Sequence, residues 1–353
     1  MPSNLLPAEE ILALPAHREA APGRRIGRSR QGRDLLGHVL GRGACHVSLI
    51  GGCHADEPVG PAMLEKLAAY LASQPDDSPA LRACTWTIVP HANPDGAARN
   101  AAWTGTTLPA VDHLGAEDRV YPLGLFLQHQ VRELPGDDME FGFPRSPEDR
   151  GVRPENRAVA DLLASGAPFA LHASFHGMGF APGPWFLVEP AWIDRTAPLR
   201  DALRARVRRM GYRLLDVDRR GEKGFRRIDE GFSTRPDSAA MAAYFREQSD
   251  PETAAKFRPS SMEFVRALGG DPFTLVSEMP LFLEPSEPTP GGPPLEEGRA
   301  GRRAVLDWLE RLAGDKDPEQ LCAEAAGFRG MPIRDQMRLQ LAFLNEALAV
   351  VGR

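Results

Sequence analysis

Cysteine is scarce in this chain of 353 residues. Cys45, Cys53, Cys84 and Cys322 are the only four, none stands in C-x-x-C spacing, and so few cannot build a disulfide framework. Long apolar runs are missing as well. No stretch approaches the ~20 residues that a bilayer-spanning helix needs. The opening MPSNLLPAEEILALPAHREAAPG carries acids and prolines where a secretion signal has basic residues and a long apolar core. These absences set the expectation of a cytoplasmic protein with no membrane partner. A basic surplus is lacking too, since the net charge is −6, which gives no support to a nucleic-acid partner. Internal repeats and low-complexity tracts are absent. What is left, 42% hydrophobic and 25% charged residues, is the composition of an ordinary enzyme. Its length allows one large α/β domain or two smaller ones.

The most informative stretch is SLIGGCHADEPVG, residues 48–60. It reads as a short buried strand, two glycines, a loop with His54 and Glu57 in H-x-x-E spacing, and a helix from Val59 with Met63, Leu64, Leu67 and Leu71 on one face. An imidazole and a carboxylate thus stand at the carboxyl end of a strand, where open α/β sheets bind their ligands. Cys53 adjoins His54, but a separation of one residue points it away. Upstream, IGRSRQGRDLLGHVLGRGACHV reads as a hairpin feeding this strand, and downstream TWTIVP is a second buried strand that ends in the turn cluster HANPDGAARN. Strand, helix, strand in this order predicts a parallel βαβ unit.

Residues 101–153 are irregular and rich in Gly, Pro and Asp, which in an ordered chain marks a functional surface more often than a plain connection. RPENRAVADLLASG reads as a helix, and FALHASFH as a buried strand ending at His176 before Gly177. PWFLVEP reads as a further strand and ALRARVRRMGYRL as a basic amphipathic helix. Residues 216–240 read as loop, AAMAAYFREQ as a short helix, and DPFTLVSEMPLFLEP as a β-rich run carrying Glu278. A Pro/Gly-rich linker spans 284–298, and AVLDWLERLAG and MRLQLAFLNEALAVVG follow with helical periodicity that fits packing on the domain or on a partner.

Three strand ends therefore offer His54 with Glu57, His176, and Glu278. Two histidines and a carboxylate around an open zinc position, with one further glutamate to move protons, are the groups needed to hydrolyse an amide. His172 competes with His176, because both fall on one face of the same strand. Its position at the strand's end favours His176.

Over roughly residues 26–283 the chain resembles the zinc carboxypeptidases related to carboxypeptidase A, as a divergent bacterial-type member. IGRSRQGRDL is similar to that family's opening motif, GGCHADEPVG to its G-G-x-H-x-x-E metal segment, NPDG at 93–96 to its N-P-D-G turn, and PENRAVADLL to the helix before the third ligand strand. Order and spacing fit as well. The resemblance implies a three-layer α/β/α fold around a central mixed, mostly parallel twisted sheet. It implies Zn²⁺ as cofactor with His54, Glu57 and His176 as ligands, Glu278 as general base, and Arg99 as the arginine that stabilises the oxyanion. We expect a lead-in over 1–23, one catalytic domain over 24–312 and a helical C-terminal extension over 313–353.

The departure from the family concerns D-[LV]-N-R-N-F-P, whose Asn and Arg bind the substrate's terminal carboxylate. Here the stretch reads Asp138-Met-Glu-Phe-Gly-Phe-Pro144, with Glu140 and Phe141 at those two places. A phenyl ring cannot replace a guanidinium fork, and a glutamate repels a carboxylate. Either Arg145, Arg150 or Arg157 takes over substrate binding, or the substrate has no carboxylate there, with Glu140 holding an amine as a further alternative. The leading expectation is a zinc-dependent hydrolase of a peptide or amide bond. The alternatives are a deacylase or amidohydrolase for a small N-acyl metabolite with the same zinc site, and a non-enzymatic binding module, which would have no use for Glu278 beside a complete ligand set. Oligomeric state is not legible.

Overall fold

The computed structural model describes residues 5–14, 23–110, 118–286 and 327–352, with a few isolated residues between 304 and 325. Its strands are β1 (Arg24–Arg28), β2 (Asp34–Leu40), β3 (Cys45–Gly51), β4 (Cys84–Val89), β5 (Leu108–Pro109), β6 (Arg119–Val120), β7 (Leu171–Ala181), β8 (Trp185–Val188), β9 (Arg227–Asp229), β10 (Phe232–Thr234), β11 (Phe273–Leu283) and β12 (Arg329–Gly330). β5 and β6 pair with each other, and the other ten form one sheet in the order β1-β2-β4-β3-β7-β11-β8-β10-β9, with β12 on β11. The four central strands β4, β3, β7 and β11 run parallel. Antiparallel pairs flank them.

Alternation along the central strands divides the core between two faces. Val47 and Leu49 of β3, with Leu171, Ala173 and Phe175 of β7, join one cluster with Met63, Leu64 and Leu67 of the helix Val59–Ser73 and Leu199 and Leu203 of the helix Ala197–Arg209. Ile50 and Val89 face the other way, onto Val159, Leu162 and Leu163 of the helix Pro154–Gly166 and Val265 of the helix Ser261–Ala267. Helices therefore cover both faces, as the three-layer expectation requires. The predicted βαβ unit is present, with the helix Val59–Ser73 linking parallel β3 and β4.

The 216–240 stretch, read as loop, contains the short strands β9 and β10. Neither has the length that a period-2 pattern needs to be seen. Within 101–153 the helices Ala101–Thr104 and Leu123–His129 and the β5/β6 ladder are the regular pieces among the described residues. Most of the 284–298 linker and of the AVLDWLERLAG segment lies outside the described residues. The predicted last helix spans Ile333–Val351, and Leu339, Leu341, Phe343 and Leu344 join the same core cluster as Val47 and Leu49. Its Asn345 side chain holds the backbone of Leu6, accepting from N at 3.0 Å and donating to O at 2.8 Å, so the two ends of the described chain meet on one face.

The motifs that carry no reactive group tie loops together. Asn93 of NPDG caps the helix Pro94–Arg99 by accepting from Gly96 N at 3.0 Å, with Pro94 at the first turn. Asp95 accepts from Ser29 Oγ at 2.6 Å, from Gln31 N at 3.0 Å and from Arg33 at 2.8 Å, which fastens the IGRSRQGR turn to it. From the PEN stretch, Glu155 accepts from Arg30 N at 3.0 Å and Asn156 donates to Met139 O at 2.8 Å. That last bond fixes the loop that carries Asp138 and Glu140.

Candidate metal centre and catalytic cleft

β3 ends at Gly51, which pairs with Phe175 of β7, so His176 is the first residue of β7 without a neighbour on that side. The strand itself does not end there. β7 and β11 continue together to Ala181 and Leu283, so His176 lies mid-strand at the edge of a crevice left by β3, a correction to its expected place at a strand terminus. Gly52, at φ +67°, turns the chain out of β3 toward His54. Gly60 lets the next helix sit against β7, since a Cβ there would stand 2.4 Å from the Phe175 carbonyl oxygen. These two glycines bring the H-x-x-E loop against His176.

His54 Nδ1 lies 2.7 Å from one Glu57 oxygen, His176 Nδ1 lies 2.9 Å from the other, and the two Nδ1 atoms are 3.1 Å apart. Two imidazole nitrogens and a carboxylate thus converge on one point, with all ligand atoms within 4.8 Å of one another. This N₂O donor set suits zinc with a position left open. On their far sides the rings meet carboxylates again, His54 Nε2 facing Asp138 at 3.4 Å and His176 Nε2 facing Glu140 at 3.2 Å and Ser174 Oγ at 2.7 Å. Burial alone would depress both histidines, but Glu57 and Asp138 hold His54 well above its usual range, and Glu57 and Glu140 hold His176 up at about 10. Burial likewise opposes ionisation of Glu57, yet the two imidazoles hold it well below the carboxylate norm. Carboxylates of Glu57, Asp138 and Glu140 thus surround the two imidazoles, an arrangement suited to a cation.

Glu278 of β11 pairs in register with His176 and enters the same cleft. Burial, then the charge of Glu57, pushes its carboxyl up to about 7, with His176, His54 and Arg132 pulling the other way. The cleft holds about 1470 Å³ and is walled by Met178, Trp185, Leu187, Met262 and Val276 as well as by His54 and His176. A separate cavity of about 830 Å³, lined by Arg28, Arg33 and His38, contains none of these groups.

Two residues with no assigned role in the sequence stand at the centre. Arg132 places its guanidinium 3.3 Å from Asp56 and from Glu57 while half of its side chain stays open to the cleft. Asp138 backs His54. Nothing in the sequence singles out Arg132, because its separation from the metal segment is set by an irregular insertion. Arg99 instead pairs with Glu133, which also accepts from Asn93, and does not line the cleft. Arg145 donates to the Phe257 carbonyl at 3.0 Å and Arg157 bonds the carbonyls of Pro147 and Asp149. Arg145, Arg150 and Arg157 are all absent from the cleft wall. Phe141 lines it, its ring 5.4 Å from that of Phe257.

His172, the competitor on the same strand, is fully buried against Ser48 Oγ at 2.8 Å and meets neither His54 nor Glu57. Burial, with Arg235 adding to it, depresses it to about 3. Because the folded state resists a proton that the unfolded chain takes up near pH 6.5, this histidine leaves stability intact above that pH and removes it as pH falls toward 3. At pH 5 the loss is on the order of 2 kcal/mol. Thermal melts at pH 7 and pH 5 should show a smaller drop in His172→Gln than in wild type. An equal drop would assign the acid sensitivity elsewhere.

The family model described as zinc carboxypeptidase matches residues 20–181, a span that includes His54, Glu57 and His176 and stops short of Glu278. No curated protein matches the sequence. Solved structures that resemble the chain include a metallo-carboxypeptidase from Burkholderia cenocepacia, 16% identical, covering 98% of this chain and 67% of that one at TM-score 0.47. Bovine thrombin-activatable fibrinolysis inhibitor, in complex with tick carboxypeptidase inhibitor, is 12% identical over 98% and 94% of the two chains at TM-score 0.47. A metallo-carboxypeptidase from Pseudomonas aeruginosa, in complex with (2-guanidinoethylmercapto)succinic acid, is 17% identical over 98% and 66% at TM-score 0.44. Among the described residues no helix is long and apolar enough to cross a membrane.

Proposed function

We propose that this chain, a divergent zinc metallopeptidase of the carboxypeptidase family, hydrolyses a peptide or amide bond in substrates that present no free carboxylate beside the metal ligands. His54, Glu57 and His176 would hold the zinc. Zinc, when bound, supplies Lewis acidity and makes water a nucleophile near neutral pH. The remaining work falls to side chains of the cleft. Glu278 takes a proton from the attacking water and returns it to the leaving amine, a task suited to a carboxyl group raised toward neutrality. Arg132, fixed by Asp56 and Glu57 and open on its other side, offers its guanidinium to the negative charge that develops on the attacked carbonyl oxygen. The apolar wall formed by Met178, Trp185 and Leu187 excludes water and accepts a substrate side chain.

The observation that carries the specificity is the absence of Arg145, Arg150 and Arg157 from the cleft, with Phe141 in the wall instead. Apart from Arg132, the lysine and arginine side chains lining the cleft among the described residues all come from the stretch between Arg213 and Lys223. A charge-assisted hydrogen bond is typically worth roughly 1.5–3 kcal/mol, and the expected bidentate contact is missing. The test compares kcat/KM for a short peptide and its C-terminal amide. The amide should be cleaved at least as well as the acid. A strong preference for the acid, abolished by Arg145→Ala, would make the enzyme a conventional carboxypeptidase.

A further inference from the structure

One short loop reaches both histidine ligands from behind. Asp138 and Glu140 stand two residues apart, and their carboxylates meet His54 Nε2 at 3.4 Å and His176 Nε2 at 3.2 Å. The loop is held rigidly, with Glu140 N donating to Asp138 Oδ1 at 2.7 Å and Asn156 donating to the intervening Met139 carbonyl at 2.8 Å. Glu140 itself is only 5% exposed, and neither of its oxygens makes a well-directed hydrogen bond. Cys53 and Ser174 flank the same small chamber, their side chains 4.0 Å apart. Glu140 Oε2 lies 3.2 Å from His176 Nε2, which also meets Ser174 Oγ at 2.7 Å, and the opposite nitrogen of that ring faces His54 and Glu57.

We propose that Glu140, which also borders the cleft, is a positioning residue for the metal ligand His176, holding Nε2 so that Nδ1 points at the zinc position. This rests on the zinc-hydrolase reading above. An outer carboxylate of this kind fixes the ring and raises its basicity as a donor, and losing one commonly lowers metal affinity ~10–100-fold.

The test is Glu140→Gln, which keeps the shape of the side chain. Zinc affinity is read by competition with a chromophoric chelator, and melting temperature is read with and without zinc. We expect affinity to fall ~10–100-fold. The zinc-induced rise in melting temperature should shrink, while the zinc-free form melts close to wild type, because the isosteric amide keeps the packing of the buried side chain. Unchanged zinc affinity with a raised KM would make Glu140 a substrate contact and overturn the proposal. So would equal destabilisation of both forms at unchanged affinity, which a purely structural role predicts. Two zinc ions per wild-type chain, one of them lost in Glu140→Gln, would make Glu140 a ligand and overturn it as well. Zinc affinity and melting temperature do not depend on a peptide being cleaved, so failure of the substrate reading would be recognised separately.

Discussion

Glu278→Gln is expected to keep its fold and its zinc while losing ~10²–10⁴-fold in kcat, the usual contribution of a positioned acid–base group. The substitution preserves size and leaves the β7/β11 pairing intact, since the register of Glu278 on His176 is a backbone property. What it removes is the capacity to take up a proton and return it. The raised carboxyl of Glu278 follows from burial and from Glu57, so the group is already biased toward holding a proton. Turnover of any substrate that wild type cleaves should be measured beside zinc content. Near-normal turnover by the glutamine variant would remove Glu278 from the mechanism. Loss of both zinc and turnover would make it a support of the metal instead.

The second large effect is on the metal itself. Wild type should hold about one zinc per chain after dialysis. His54→Ala and His176→Ala should each lower affinity by more than the ~10–100-fold that follows loss of a supporting group. His172→Ala, on the same face of the same strand, should keep its zinc, because its ring is spent on Ser48. Elemental analysis of the three variants distinguishes the two histidines of β7 directly. His54→Gln, which retains a polar side chain against Glu57, separates loss of metal from loss of fold. Undiminished zinc in the His54 variants would remove the central assignment.

How far the sequence carries can be seen at individual residues. His54, Glu57, His176 and Glu278 were legible as candidates because each lies on or beside a strand whose apolar pattern fixes its place in a parallel sheet, and parallel sheets gather ligands at one end. The N-P-D-G and P-E-N motifs were legible as landmarks, though not for what they do. Only the fold reveals that Asp95 holds the opening turn and that Asn156 holds the loop behind the metal site. Both are long-range hydrogen bonds that leave no periodic trace in the chain.

The sequence by itself determined the layered α/β architecture and put forward the four residues proposed for a zinc-hydrolase site. The strands are a local matter of alternation, whereas the roles of the four residues, which lie far apart in the chain, came from its resemblance to the zinc carboxypeptidases. Tertiary structure decided which arginine enters the cleft and which way Glu140 turns. Arg99 stands next to a recognised motif yet is drawn off by Glu133, while Arg132, in an irregular insertion, is drawn in by Asp56 and Glu57. The destination of a long charged side chain is set by the carboxylates within its reach after folding, and no rule of spacing encodes those.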